Sequence, residues 1–370
     1  MSEYQYYEFL AVDRPLDRAT QHALRSISSR ARISATGFVN HYEWGDLKGD
    51  PRKLVAQWFD LHLYFANWGS RRLMMRVPKR FLDPTALDPF LREVDWVDVE
   101  ASGNDVIIDI HRDEEGADTE WDEGSGWLAT LAPLRSDVLS GDLRLFYLLW
   151  LMAVQDDLVS PDEVEPLAGI GPLSGAHESF AAFFDLDPDL VQAAAERSID
   201  RAALSDKDRL AVLAAIPEQE KTELLSRVFE GDAHVAAELR RKLRANYPVP
   251  VPERTAGALQ MRAREIAQAR AHAEAKRQEA ERRRQAREAE KAQRARLEVL
   301  KQRGDKVWHE IEEEIERRNA PGYDRAASLL SDLQALAKED GSLDDFGRRL
   351  ASIRLRHERK AKFIERLSRL

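Results

Sequence analysis

The sequence contains no cysteine, which excludes a disulfide framework, a thiolate zinc site and a cysteine nucleophile together. It also lacks a long apolar run. The longest, residues 145–154, is far shorter than the roughly 20 residues a membrane-spanning helix needs, so it predicts a buried helix. The opening MSEYQYYEFLAVDRP has no basic stretch followed by an apolar one; no secretory leader is expected, and the cytoplasm is the simplest compartment. Catalytic motifs are missing as well. Gly169-Ile170-Gly171 followed by Gly175 matches neither a dinucleotide-binding turn nor a Walker loop, and Gly-x-Ser-x-Gly does not occur. No cofactor and no metal is expected.

What is present is charge, unevenly divided. The chain of 370 residues is 33% charged with a net charge of −10, and its length predicts two or three domains. Residues 1–250 hold 27 Lys and Arg against 44 Asp and Glu (net −17), whereas residues 251–370 hold 29 against 22 (net +7). An acidic body is followed by a basic helical tail.

Aromatic and β-branched runs predict strands at 4–12, 33–44, 61–65, 72–77, 94–100 and 105–111, with helices at 16–29, 51–59 and 83–91. Asn67-Trp68-Gly69-Ser70 and Ala101-Ser102-Gly103-Asn104 read as hairpin turns. Residues 1–115 are therefore expected to form an α+β domain with a mixed or antiparallel sheet. Helical periodicity takes over from Trp127, and residues 116–247 read as an α-helical domain. Prolines 248, 250 and 252 mark a hinge at 248–253. Residues 254–303 read as one long charged helix, and 304–370 as a small bundle of three amphipathic helices, so the chain is mostly α overall.

Two motifs in the first region gather chemically capable side chains, Asn40-His41-Tyr42-Glu43-Trp44-Gly45-Asp46 and Asp60-Leu61-His62-Leu63-Tyr64. His41, Glu43, Trp44, Asp46 and His62 are the ligand-binding candidates, joined by Trp68 and by Arg71 and Arg72, which could clamp an anion. No His-x-His or His-Glu-x-x-His spacing accompanies them, and histidines packed beside aromatic residues are the plainer reading. Tyr42, Trp44, Trp58, Tyr64, Phe65 and Trp68 read as core ahead of a ligand groove. Asp113–Glu123 places seven carboxylates in eleven residues; the spacing misses an EF-hand register and suits a solvated loop.

The opening stretch and residues 40–72 resemble a group of uncharacterised bacterial proteins that begin in nearly the same way and share a pattern matched here by His41-Tyr42-Glu43-Trp44-Gly45-Asp46 and His62-Leu63-Tyr64-Phe65-Ala66-Asn67-Trp68-Gly69. The resemblance covers about a fifth of the chain and implies no particular activity. Near the other end, Tyr323-Asp324, Ala326, Leu329-Leu330, Asp332-Leu333, Arg354, Arg356-His357 and Arg359-Lys360 resemble the tail module of some bacterial SWIM zinc-finger proteins. The zinc ligands are missing, so the resemblance implies a docking module without the metal.

Residues 261–303 contain neither glycine nor proline, and their 14 basic and 7 acidic residues give a net +7. At 1.5 Å per residue the helix would reach roughly 65 Å. Alanine, arginine, glutamate, glutamine and lysine supply the helix propensity, with charge pairs such as Glu279–Arg283 and Glu290–Arg294 in support. No a/d stripe is sustained, so a single exposed helix fits better than a tight coiled coil. Arg282, Arg283, Arg284 and Arg287 could follow a phosphate backbone, although a soluble spacer explains the same charges. In the last helix Arg356, Arg359 and Lys360 are candidates for contact with nucleic acid or an acidic partner.

The function expected first is that of an interaction or scaffold protein, a stiff helical arm presenting a C-terminal docking bundle to protein partners. A nucleic-acid accessory factor using the basic helices is the alternative. An enzyme with a site among the N-terminal His, Glu, Asp and Trp residues is the second alternative.

Overall fold

The computed structural model describes residues 3–113, 124–197, 206–245 and 250–367. Most of the acidic stretch, at 114–123, and the start of the proline hinge, at 248–249, lie outside them. The chain divides into two compact units, Met1–Ala269 and Arg270–Leu370.

The first unit is built on seven strands: β1 (Gln5–Leu10), β2 (Arg32–Ile33), β3 (Gly37–Tyr42), β4 (Leu61–Ala66), β5 (Ser70–Pro78), β6 (Val97–Ser102) and β7 (Asp105–Asp113). They form one sheet in the order β2-β3-β1-β4-β5-β7-β6, every neighbouring pair antiparallel. Two of its hairpins close at the expected turns, where Gly69 and Gly103 take φ of 105° and 59°, values that side chains with a Cβ resist.

Strand residues alternate between two covered faces. Tyr7, Phe9, Phe38 and Met74 face a thin layer formed by α1 (Arg18–Ile27) and α2 (Pro51–Gln57), whose Leu24, Leu54 and Val55 complete that core. Each helix starts on an aspartate: Asp17 accepts from the Thr20 amide at 2.7 Å, and Asp50 from the Arg52 amide at 3.0 Å with Pro51 following. The 83–91 segment forms a 3₁₀ turn and the short α3 (Asp88–Leu91).

The opposite face carries Leu61, Leu63, Phe65, Leu73, Met75, Ile108 and Ile110. It is covered by α4 (Trp127–Leu131), α5 (Pro133–Leu139), α6 (Arg144–Gln155), α7 (Gly175–Phe183) and α8 (Pro188–Ala195). In α6 every residue from Leu145 to Val154 is buried, so the chain's most apolar run forms the centre of this layer. Sheet and helices share one hydrophobic core, to which Ala237 of α11 and the first residues of the long helix also contribute. α9 (Asp206–Ala215), α10 (Glu218–Phe229) and α11 (Val235–Ala245) lead up to it. Helix α12 then runs unbroken over Ala256–Arg303. Among the described residues no helix is long and apolar enough to cross a membrane.

The second unit holds the later part of α12 with α13 (Lys306–Glu316), α14 (Ala320–Glu339), α15 (Leu343–Arg356) and α16 (Ala361–Leu367). Leu297 and Leu300 close its core with Val307, Ile311, Ile315, Ala326, Leu330, Ile353 and Phe363. The bundle's third helix departs from a straight rod. A 4-3 stripe would point Ile364 inward, but the chain turns at His357, whose carbonyl accepts the Lys360 amide at 2.9 Å. The turn seats Phe363 and Leu367 fully in the core and leaves Ile364 only partly buried. The larger aromatic side chain takes the interior position.

Candidate docking site

The candidates at the N-terminal sheet do not converge. Tyr6 stands opposite His41 and Phe65, and Phe9 opposite His62. Tyr6 and Phe9 belong to different cores, so His41 and His62 lie on opposite faces of the sheet. The same alternation separates Arg71 from Arg72.

His62 is fully buried, stacked on the Phe9 ring with centroids 4.0 Å apart. Its Nδ1 donates to the Glu8 carbonyl at 3.0 Å, while Nε2 has no partner among the described residues. Burial pushes its pKa down to about 3, so the ring is a neutral core element at ordinary pH. His41 is exposed and stacks on Tyr4. Glu43 is exposed, and Trp44 is 85% exposed at the tip of the same loop. Asp46 accepts from the Gln5 amide nitrogen at 3.0 Å, which ties the loop to β1. Trp68 donates from Nε1 to Ser70 at 2.9 Å. Arg72 forks onto Asp109 at 2.8 and 2.6 Å, a bidentate pair in which both partners are satisfied. Arg71 is buried, with one terminal nitrogen lacking a partner among the described residues. Among the described residues no group of three or more His, Asp or Glu is placed to hold a metal ion.

The C-terminal bundle does bring its candidates together. A groove of about 330 Å³ opens between α13 and α15, lined by Trp308, Glu312, Arg349, Ser352, Ile353 and Arg356. Trp308 is only half-buried, and the Arg349 guanidinium lies over its ring, 5.4 Å from the centroid. Asp305 accepts from that guanidinium at 2.7 Å. Glu312 takes Arg356 at 2.8 Å on one oxygen and His357 Nε2 at 2.6 Å on the other.

An adjoining hollow of about 710 Å³ shares Arg356 and adds Arg318, Leu355, Arg359 and Lys360, with Glu316 and Glu358 as its two carboxylates. The Lys360 ammonium, 2.7 Å from Glu316, holds that carboxyl below its usual range. Leu355 is 73% exposed beside these cations. Apolar contact and positive charge thus adjoin on one surface. By its spacing from Ile311 and Ile315, Trp308 reads in the sequence as an interior residue. The signal for its second role was the paired Arg348-Arg349 on the facing helix.

On α12, Arg283 pairs with Glu279, and Arg284 with Glu281 at 2.9 Å. Arg282 and Arg287 are exposed without an ion-pair partner among the described residues. No family model, curated protein or solved structure matches this chain.

Proposed function

We propose that this chain is an interaction protein whose C-terminal bundle docks an acidic segment of a partner protein. The observation that carries this reading is the half-buried Trp308 in an open groove, flanked by Arg349 and Arg356 and followed by the exposed Leu355. Tryptophan and arginine are the side chains most often responsible for binding energy at protein interfaces. A carboxylate-rich strand or helix with one apolar anchor meets both features, its acids against Arg356, Arg359 and Lys360 and its anchor on Trp308. In this reading α12, which carries only exposed side chains over most of its middle, serves as a spacer.

The test places a photo-crosslinking residue at Ser352 in the full chain and identifies what is captured in the host. Capture of a protein through an acidic segment, lost on Trp308→Ala and retained on Trp44→Ala, supports the reading. Capture unaffected by Trp308→Ala, or capture of nucleic acid alone, sinks it.

A further inference from the structure

Every residue of α12 from Gln268 to Arg296 is exposed except Glu281, which is partly covered. Around the helix axis five of the ten cations of this stretch are aligned. At about 100° per residue, Lys276, Arg283, Arg287, Lys291 and Arg294 fall within one sector of roughly 80°, spaced by seven, four, four and three residues. Ala280 fills the one vacant position. The five carboxylates of the stretch lie outside that sector, Glu279 and Glu290 on one side and Glu274, Glu281 and Glu288 on the other. From there Glu279 braces Arg283 and Glu290 braces Arg294 at 2.7 Å. Lys276, Arg287 and Lys291 carry no ion pair among the described residues. Arg283, Arg284, Arg287 and Lys291 line one shallow concavity with Ala280 and a single carboxylate, Glu288.

We propose that this face of α12 binds double-helical DNA through its phosphate backbone. The choice of partner follows from what the face lacks. An amphipathic helix that lies on a membrane needs a broad apolar side, and this stretch offers only alanine. A protein partner would need an aromatic or aliphatic anchor, and there is none here, unlike the groove at Trp308. What remains is recognition by charge. A helix 10–12 Å across fits a major groove about 12 Å wide, whereas the deep, narrow major groove of RNA duplexes does not admit it. From Lys276 to Arg294 the stripe runs about 27 Å, the length of roughly eight base pairs. Ala280 keeps the face low between Lys276 and Arg283. The inference stands apart from the docking groove and does not depend on it.

Five neutralised phosphates give a slope of log K against log salt of about −4.5. Affinity should therefore fall about 500-fold between 50 and 200 mM salt. The experiment titrates full-length protein into a labelled 20-base-pair DNA duplex of arbitrary sequence and follows anisotropy across that range. The triple variant Lys276→Gln, Arg287→Gln, Lys291→Gln removes the unpaired cations and keeps strong helix formers, which far-UV circular dichroism verifies. The slope should then shrink by about 2.7, with affinity at 50 mM salt lowered at least tenfold. The proposal is overturned by absence of binding at 50 mM salt, by an unchanged slope in a variant of unchanged helicity, or by an RNA duplex bound as tightly as DNA. Displacement of the duplex by polyglutamate at equal charge, or equal binding to phosphatidylserine vesicles, overturns it in favour of an acidic protein or a membrane.

Discussion

Arg135 sets both terminal nitrogens on the Asp13 carboxylate, Nη1 2.9 Å from Oδ1 and Nη2 2.6 Å from Oδ2. Its Nε donates to the Arg76 carbonyl at 2.7 Å, and its residue is only 3% exposed. Beside it the buried Asp60 accepts from Arg76 at 2.9 Å and from the amides of Val12 and Asp13 at 2.6 and 2.9 Å. One guanidinium from α5 therefore fastens the segment after β1 to the last part of β5. Arg135→Leu leaves the Asp13 carboxylate with His234 as its remaining side-chain partner, 3.0 Å away, while Asp60 keeps Arg76; it should cost about 3 kcal/mol, read from the urea midpoint of the first unit. Arg135→Lys should rescue little, since an ammonium cannot reproduce the fork. A loss below about 1 kcal/mol in the leucine variant would mean that the network is idle.

The same network sets an acid response. Burial alone would push the Asp13 carboxyl up, but His234 and Arg135 outweigh it and hold it well below the usual range. A carboxyl depressed in the folded state contributes stability that is complete above its unfolded value, about 3.9, and is lost as pH falls toward the folded value. Asp13→Asn should be less stable than the parent at pH 7, with the gap narrowing below pH of about 4. A gap that stays constant down to pH of about 2 would count against the assignment.

Two buried histidines act higher on the pH scale. Burial pushes His62 down to about 3 and, with help from the nearby Arg144, His177 to about 4. The unfolded chain takes up these protons near pH 6.5 and the folded chain does not, so their contribution is present above about 6.5 and declines as pH falls toward those values. His62→Phe should flatten the stability profile between pH 6 and 4 by one proton's worth, about 1.4 kcal/mol per pH unit. Equal slopes for variant and parent would show that His62 is protonated in the folded state.

How far this was legible in the sequence depends on what a residue had to reveal. Alternation and turn glycines marked the strands and hairpins, and the unbroken apolar run marked α6 as interior. The joint candidacy of His41 and His62 was a different matter. Both sit among aromatics in neighbouring motifs, but whether two strand residues share a face is settled by register, and a shift of one residue reverses the answer. Likewise Arg135 reads as a polar break in an apolar helix, because its partners Asp13 and Asp60 are distant in sequence and become neighbours only through the sheet. On the long helix, composition shows the charge, whereas the alignment of Lys276, Arg283, Arg287, Lys291 and Arg294 needs the helix to be unbroken.

Gly322 tests the packing of the second unit. A Cβ there would stand 2.5 Å from the Glu314 carbonyl oxygen and 2.9 Å from Asn319 Oδ1, while the Gly322 amide donates to that same Oδ1 at 2.8 Å. Gly322→Ala must push α14 off the end of α13, at a cost of about 1–3 kcal/mol. Hydrogen exchange read by peptide should quicken across 306–339 and leave 61–110 unchanged. Alanine as well protected as glycine would show that the junction yields without cost.

The last prediction separates a single helix from a self-associating one. Leu259, Ala263 and Ile266 are buried near the start of α12, and Leu297 and Leu300 near its end, while the residues between contribute almost no buried surface. Helix stability in that middle comes from propensity and from pairs such as Arg294 with Glu290, each worth a few tenths of a kcal/mol. Local opening should therefore be cheap there. Amide exchange should be fastest near 272–292 and slow toward both ends, and higher salt, which screens the pairs, should raise the middle rates further. A second copy covering this stretch would bury its backbone and couple protection to mass action. Uniform protection along 256–303 that rises with protein concentration would replace the single helix with a paired one.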